Sequence, residues 1–239
     1  MREKCRRVGI AVLAVFLLAS RAKAGPILHE GFDDIGTLAG DGWVQTNNSS
    51  PIGTTGWFQG NPGIFEAYSG ADTSYIAANY LNADAGGAIS NWLISPVVEL
   101  SSSSVLSFWT RSTDLAGEDY HDSLEVRVSK KDSTDVGSSF DSVGDFTTLL
   151  LTINPAFAAG TYKNEWTLYT LSLADFGFGG AIDGRFAFRY IIDDTTAHGD
   201  YIGIDSAALE TVVPEPGGLL VTAIGLMTLA VLARRRGLA

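Results

Sequence analysis

The sequence predicts an all-β protein, a two-sheet antiparallel sandwich flanked by an N-terminal signal peptide and a C-terminal transmembrane helix. Many short segments alternate apolar and polar residues with period two, and no amphipathic pattern of ten or more residues predicts a helix. Glycine accounts for 27 of the 239 residues, above the usual ~7%, and clusters between these segments as turns do. Hydrophobic residues make up 46% of the chain, which is enough to build a core and excludes disorder over most of its length.

Residues 1–24 have the three parts of a secretory signal peptide. Basic residues open the segment, the apolar run Val8–Leu18 follows, and Ala22-Lys23-Ala24 forms a cleavage site with Ala22 and Ala24 as its small residues. The run of eleven residues is short for a membrane span, which needs about 20. We therefore expect export, with the mature chain beginning at Gly25.

A second apolar run, residues 217–233, is followed at once by Arg234, Arg235 and Arg236. Seventeen helical residues reach ~25 Å, slightly less than a ~30 Å hydrocarbon core. Basic residues after a span favour the cytoplasmic side, and the signal peptide places the preceding residues on the other side. The sequence thus predicts a transmembrane helix that anchors the exported domain, with a basic tail on the cytoplasmic side of the membrane.

Residues 25–211 form the predicted sandwich domain, with about nine strands punctuated by turns. The predicted strands are 27–32, 75–81, 88–93, 105–113, 123–129, 146–153, 165–173, 185–190 and 201–210. The alternation in the segments around Val126 and Phe188 predicts sheets with one solvated face. Residues 36–63 are expected to form a long loop, held to the domain by Trp43 and Trp57.

The charge of the chain excludes some partners and functions. The net charge is −11 and the pI about 4.6, which leaves no basic surplus for nucleic acid. Without its two ends the domain keeps 7 basic and 25 acidic residues, an excess that either maintains solubility or gathers carboxylates around calcium. The single cysteine, Cys5, lies in the signal peptide, so the mature domain has no disulfide, reactive thiol or cysteine metal site.

The segment Val213-Pro214-Glu215-Pro216-Gly217, the apolar run after it and the terminal arginines resemble the PEP-CTERM sorting signal, over residues 213–239. The resemblance implies a Gram-negative bacterium that secretes an exopolysaccharide, and an exosortase-type processing enzyme as partner. It also implies a path from the periplasmic side of the inner membrane to the cell surface or extracellular matrix. Pro214 and Pro216 keep the backbone extended around Glu215, as a processing enzyme requires. The alternative is an ordinary stop-transfer helix with a proline-rich entry.

Several segments of the domain resemble the choice-of-anchor J and cleaved-adhesin families, which have a MAM-like jelly-roll fold. The matching segments are Glu30-Gly31-Phe32-Asp33, Gly42-Trp43, Asn91-Trp92-Leu93-Ile94-Ser95-Pro96, Leu124–Ser129 and Tyr201-Ile202-Gly203-Ile204-Asp205. The resemblance covers nearly all of residues 27–210. It implies a jelly roll and an exported module, since members carry various anchors and accompany adhesins or peptidases, and it implies no specific activity.

The same resemblance implies a structural calcium site. Related carbohydrate-binding sandwiches hold calcium with a carboxylate from the first and the last strand, and Glu30, Asp33 and Asp205 stand at the corresponding places. Strand alternation puts Glu30 and Asp33 on opposite faces unless the strand bends or ends between them. The alternative is that these acids only solvate strand ends. Two further acidic groups are ligand candidates. Glu118–Asp122 lie between two predicted strands, and the alternative there is an ordinary acidic turn. Asp193, Asp194 and Asp200 surround His198 next to the final strand and could hold an accessory cation or ligand.

No catalytic pattern is present, and we expect a protein that is not an enzyme. His29, His121 and His198 have no metalloprotease spacing, and no nucleophile-elbow motif occurs, although spacing alone leaves a glycoside hydrolase open. Among five tryptophans, Trp109 shares its strand face with Ser107 and Arg111, so its ring is a candidate for stacking on a ligand. The sequence predicts a non-catalytic adhesion or interaction module of the cell surface, or alternatively a module that binds the cell's polysaccharide.

Overall fold

The computed structural model describes residues 26–113 and 120–212. The predicted signal peptide with Ala22 and Ala24, the motif Pro214-Glu215-Pro216, the helix 217–233 and Arg234–Arg236 lie outside the described residues. Across the described ranges, no helix has the length and apolarity needed to cross a membrane. Ala24–Val212 form one compact unit, and the three hydrophobic clusters found among the described residues all lie inside it.

The unit contains two antiparallel sheets, called here the front and the back sheet. The front sheet has the order β11 (Thr167–Ser172), β8 (Ser104–Thr113), β13 (Tyr201–Thr211), β5 (Ile76–Asn79) and β4 (Phe58–Gln59), with β1 (Pro26–Glu30) also paired to β13. The back sheet has the order β10 (Thr148–Ile153), β9 (Leu124–Ser129), β12 (Ile182–Ile192), β6 (Ala83–Ile94) and β2 (Val44–Asn47). β3 (Ser50–Ile52) pairs with β6, and β7 (Val98–Leu100) pairs with β12.

The two sheets enclose the main core, as expected for a sandwich. Every second residue of β8 from Ser104 onward is buried, because those side chains point between the sheets. The Phe108 ring of the front sheet meets the Phe188 ring of the back sheet at 4.9 Å between centroids. The predicted all-β, two-sheet fold is therefore confirmed for the described residues.

The expectation of a solvated outer face on the back sheet is wrong. Glu125 and Arg189, on neighbouring strands, are 9% and 2% exposed. Arg189 Nη1 donates to Glu125 Oε2 at 3.1 Å, and its guanidinium lies 4.9 Å above the Trp92 ring. The segment between β9 and β10 covers this face with Val136 and Phe146, so charged side chains are buried in pairs, as buried charges must be.

The predicted long loop over residues 36–63 contains three short strands, β2, β3 and β4, and the prediction also omitted β7. Strands of two to four residues leave too few alternations to detect in a sequence rich in polar residues. The Asn47 side-chain amide holds this region by donating to the carbonyl oxygen of Asn82 at 2.9 Å. Trp43 and Trp57 are 3% and 5% exposed, which confirms that they fix the region to the domain.

Candidate functional site

A loop between β4 and β5 covers part of the outer face of the front sheet. Its Phe65 packs against Tyr75, Trp166 and Tyr201, with ring centroids 5.0–5.5 Å apart. Gly203, in the middle of β13, permits this packing because a Cβ atom there would lie only 2.9 Å from the Phe65 ring. The result is a small aromatic cluster outside the main core.

The same loop places Tyr68 flat against Trp109 of β8. The two ring centroids are 3.7 Å apart and the ring planes differ by 15°. Tyr68 is 45% exposed, and Leu168, opposite Trp109 on β11, is 48% exposed. We call the stacked pair Tyr68 and Trp109 the aromatic platform.

The platform changes the interpretation of Trp109. Trp109 lies on the outer face, half-buried, as the alternation predicted, but Tyr68 covers one face of its ring. The exposed ring on this surface is Tyr68, which sequence reasoning missed. Tyr68 belongs to no strand, so no periodic signal reports where its side chain points.

Asp205 holds the loop that carries Tyr68. Its side chain has no solvent exposure, and its Oδ2 accepts a hydrogen bond from the Ser69 amide at 3.0 Å. Ser206 donates its hydroxyl to Asp205 Oδ1 at 3.0 Å, where β13 is irregular and Ser206 takes a φ of 49°. Burial raises the pKa of the Asp205 carboxyl, while backbone amides of Ser69, Ser206 and Tyr68 partly counter it. Asp205 thus positions the platform.

Glu30 and Asp205 lie on neighbouring strands, as predicted, since β1 pairs with β13 and Glu30 is opposite Ala207. β1 ends at Glu30, whose Oε1 accepts from the Phe32 amide at 2.7 Å. Burial raises the pKa of the Glu30 carboxyl, and the nearby charges of Asp41 and Asp33 add to the rise. Asp33 Oδ1 lies against Gly70, one residue from the amide bound by Asp205.

These three carboxylates occupy one corner of the front sheet, but each has its own backbone contacts. Among residues 26–113 and 120–212, no three histidine, cysteine or acidic side chains form a group suited to a metal ion. Carboxylate oxygens are the ligands that calcium prefers, and an ion at Asp205 would share the carboxylate with the amide contact from Ser69. Calcium binding by Glu30, Asp33 and Asp205 stays a prediction.

The two other acidic groups meet at one end of the sandwich. Glu118 and Asp119 lie outside the described residues, but Asp122 is 1% exposed and accepts hydrogen bonds from Tyr190 Oη at 2.6 Å and from the Asp200 amide at 2.8 Å. The Ser112 hydroxyl donates to its other oxygen. A cavity of about 70 Å³ lies beside Asp122, lined also by His121, Asn154 and Tyr162. Asp122 therefore joins β8 and β12 to the segment that precedes β13.

Comparisons with known proteins agree with the fold. No protein-family model matches the chain, and no curated protein matches it. A cleaved adhesin domain of Lys-gingipain from Porphyromonas gingivalis is similar in structure, with a TM-score of 0.50 and 17% identity over 78% of this chain and 100% of that one. Another cleaved adhesin domain of that gingipain gives a TM-score of 0.49 and 19% identity over 77% and 97%.

A xylan-binding module from Paenibacillus barcinonensis matches with a TM-score of 0.40 and 13% identity, over 82% of this chain and 99% of that one. At such identities the comparisons concern the fold alone. The cleaved adhesin domain with the TM-score of 0.50 supports the expected fold, a jelly roll like that of the cleaved adhesin domains. Membership of the choice-of-anchor J family and the PEP-CTERM sorting signal stay predictions.

Proposed function

We propose that this protein is an exported, non-catalytic binding module that is sorted through its Pro214-Glu215-Pro216 tail and acts at the cell surface or in the extracellular matrix. The PEP-CTERM resemblance supports the sorting route, with an exosortase-type enzyme as the processing partner. The aromatic platform supports the binding role, because a rigid ring on an exposed sheet face offers a ligand a fixed apolar surface.

The ligand class we propose is a neutral polysaccharide, such as the exopolysaccharide implied by the sorting signal. The apolar faces of pyranose rings pack on flat aromatic side chains, and Tyr68 presents such a ring with 45% of its surface exposed. The stack on Trp109 and the hydrogen bond from Ser69 to Asp205 fix this ring before a ligand arrives, which reduces the entropy lost on binding. The large excess of acidic residues disfavours the binding of polyanionic polysaccharides, because like charges repel.

Replacing Tyr68 by alanine should weaken binding of the host's neutral polysaccharide about tenfold, since loss of one stacked ring face removes apolar contact worth about 1.4 kcal/mol. Tyr80→Ala is the matched control, because Tyr80 is similarly exposed, at 43%, but lies at the sandwich end. Affinity electrophoresis or calorimetry on residues 25–212 measures both. Equal losses in the two variants, or no binding by the wild type, would remove the platform as the site.

We also propose a structural calcium ion at Glu30, Asp33 and Asp205. A ligand that binds only the folded domain at a hundredfold excess over Kd contributes about 2.7 kcal/mol, which raises the melting temperature by roughly 5 °C or more in a domain of this size. EDTA should therefore lower the melting temperature, calcium should restore it, and Asp205→Asn should abolish the difference. Identical melting of the wild type in EDTA and in millimolar calcium would contradict the proposal.

A further inference from the structure

The two sheets differ in how their edge strands are protected. On the front sheet, β4 has two residues and β1 begins with Pro26 and has an irregular register. On the back sheet, β10 is irregular between Leu149 and Leu151, β2 has four residues and β3 contains Pro51. Short strands, irregular registers and prolines are the usual means of preventing edge-to-edge pairing.

The edge strand β11 has none of these features. Its six residues pair in unbroken register with β8, from Thr167 opposite Thr110 to Ser172 opposite Val105. In the described part of the chain, residues 167–171 have no backbone hydrogen bond to another backbone group beyond this ladder, and Ser172 caps the short 3-10 helix that follows. Because alternate residues of an edge strand point their N–H and C=O groups outward, β11 presents free backbone groups to solvent.

The sequence of β11 is also unusual for this domain. Thr-Leu-Tyr-Thr-Leu-Ser contains no charged residue, although acidic residues outnumber basic ones by 25 to 7 in residues 25–211. Along the chain, the nearest charged residues are Glu165 before the strand and Asp175 after it. Two copies of such an acidic domain repel each other over most of their surface, and along β11 they can approach without opposing carboxylates.

We propose that β11 pairs with β11 of a second copy, in antiparallel orientation, to form a dimer with one continuous front sheet. The two-fold axis of such a pair is perpendicular to the sheet, so side chains on the outer face of one copy lie beside side chains on the outer face of the other. The outer-face residues of β11 are Leu168, Thr170 and Ser172, and they lie beside the equivalent residues of the second copy. None of them carries a charge.

This dimer has a consequence for ligand binding, which rests on the proposed function. Rotation about this axis keeps the outer faces of the two front sheets on the same side of the dimer. Both aromatic platforms therefore lie on that side. Trp109 lies one strand inside β11, and three strand spacings of about 4.8 Å put the two platforms roughly 14 Å apart across the sheet. One polysaccharide chain can then contact both platforms, which raises the apparent affinity without new contacts.

Two leucine substitutions with the same change of charge test the pairing. Leu168→Asp places a carboxylate on β11, and Leu149→Asp, at a residue of similar exposure, places one on the irregular edge strand β10 of the back sheet. Sedimentation of residues 25–212 from micromolar to about millimolar concentration should show a reversible wild-type dimer. Leu168→Asp should raise its dissociation constant roughly tenfold or more, and Leu149→Asp should leave it within about twofold.

Hydrogen exchange supplies a second measurement, because the amides of β11 should exchange more slowly as the wild-type concentration rises. Thr170→Glu replaces Leu168→Asp if the latter fails to fold by circular dichroism. A wild type that stays monomeric at about 1 mM, or equal weakening by both leucine variants, overturns the proposal. Protection of β11 only after a different protein is added would assign the edge to that protein and also overturn self-pairing. None of these outcomes depends on whether the platform binds a polysaccharide.

Discussion

Replacement of Pro214, Glu215 and Pro216 by three alanines should leave export intact and stop processing of the tail, so that the full-length mature chain accumulates in the membrane. Proline disfavours the helical conformation at its own position and at the preceding residue, so we expect alanines to remove that restriction and to favour a helix continuous with the predicted helix 217–233. Mass spectrometry of the mature C terminus in the native host measures the result. The expected change is from almost complete processing to none.

The matched control changes two neighbouring residues and keeps the tripeptide. Gly217→Ala combined with Gly218→Ala also increases helix propensity next to the motif, so it separates the effect of a longer helix from loss of the motif. We expect this variant to be processed as the wild type is. An unchanged C terminus in the triple-alanine variant would refute sorting through the tripeptide and leave an ordinary stop-transfer helix.

Asp122→Ala should lower the free energy of unfolding of residues 25–212 by about 4 kcal/mol. The substitution leaves the buried Tyr190 and Ser112 hydroxyls and the Asp200 amide without their acceptor, and each unpaired buried donor costs about 1–3 kcal/mol. For a domain of this length the melting temperature should fall by roughly 10 °C. Asp194→Ala is the control, because the Asp194 side chain is at the same end but, among the described residues, accepts hydrogen bonds from neighbouring Thr196 alone. Equal effects would show that Asp122 does not join the strands.

Asp122→Asn should have an effect that depends on pH. Burial raises the pKa of the Asp122 carboxyl above its ordinary value, against the opposing effect of its hydrogen bonds. The native state therefore holds this proton more tightly than the unfolded state does. The contribution of Asp122 to stability falls as pH rises from the pKa of the unfolded state to the raised pKa of the native state. The stability difference between wild type and Asp122→Asn should be largest below about pH 4, shrink as pH rises towards the raised pKa, and stay constant above it. Urea titrations across this range measure it, and a difference independent of pH would contradict the raised pKa.

Periodic features of the sequence predicted the fold well. The alternation over residues 105–113 is β8, and the segments around Val126 and Phe188 are the strands β9 and β12. The pattern failed where a covering segment buries the second face of a sheet, because a buried Glu125–Arg189 pair and a solvated charged face look the same in sequence. Only the path of the residues between β9 and β10 separates the two cases.

The candidate site was less predictable, since its parts come from segments with no period. Sequence reasoning selected Trp109 and Asp205, and both lie at the platform, but it could not identify Tyr68 or the contact from Ser69 to Asp205. Such contacts join residues 136 positions apart through a loop amide. Residue types and their spacing in the sequence do not predict such contacts.

The aromatic cluster around Phe65 lies outside the main core, so the surface that carries Tyr68 and the sandwich beneath it need not open together. Phe65, Tyr75, Ala77 and Tyr201 bury a small apolar area compared with the core between the sheets. Regions with few buried contacts open locally at a lower free energy than the whole domain. On warming, this loop should therefore detach before the sheets separate, and a protease should cut it first. The protein would then lose ligand binding at a temperature where its circular dichroism still reports an intact sandwich.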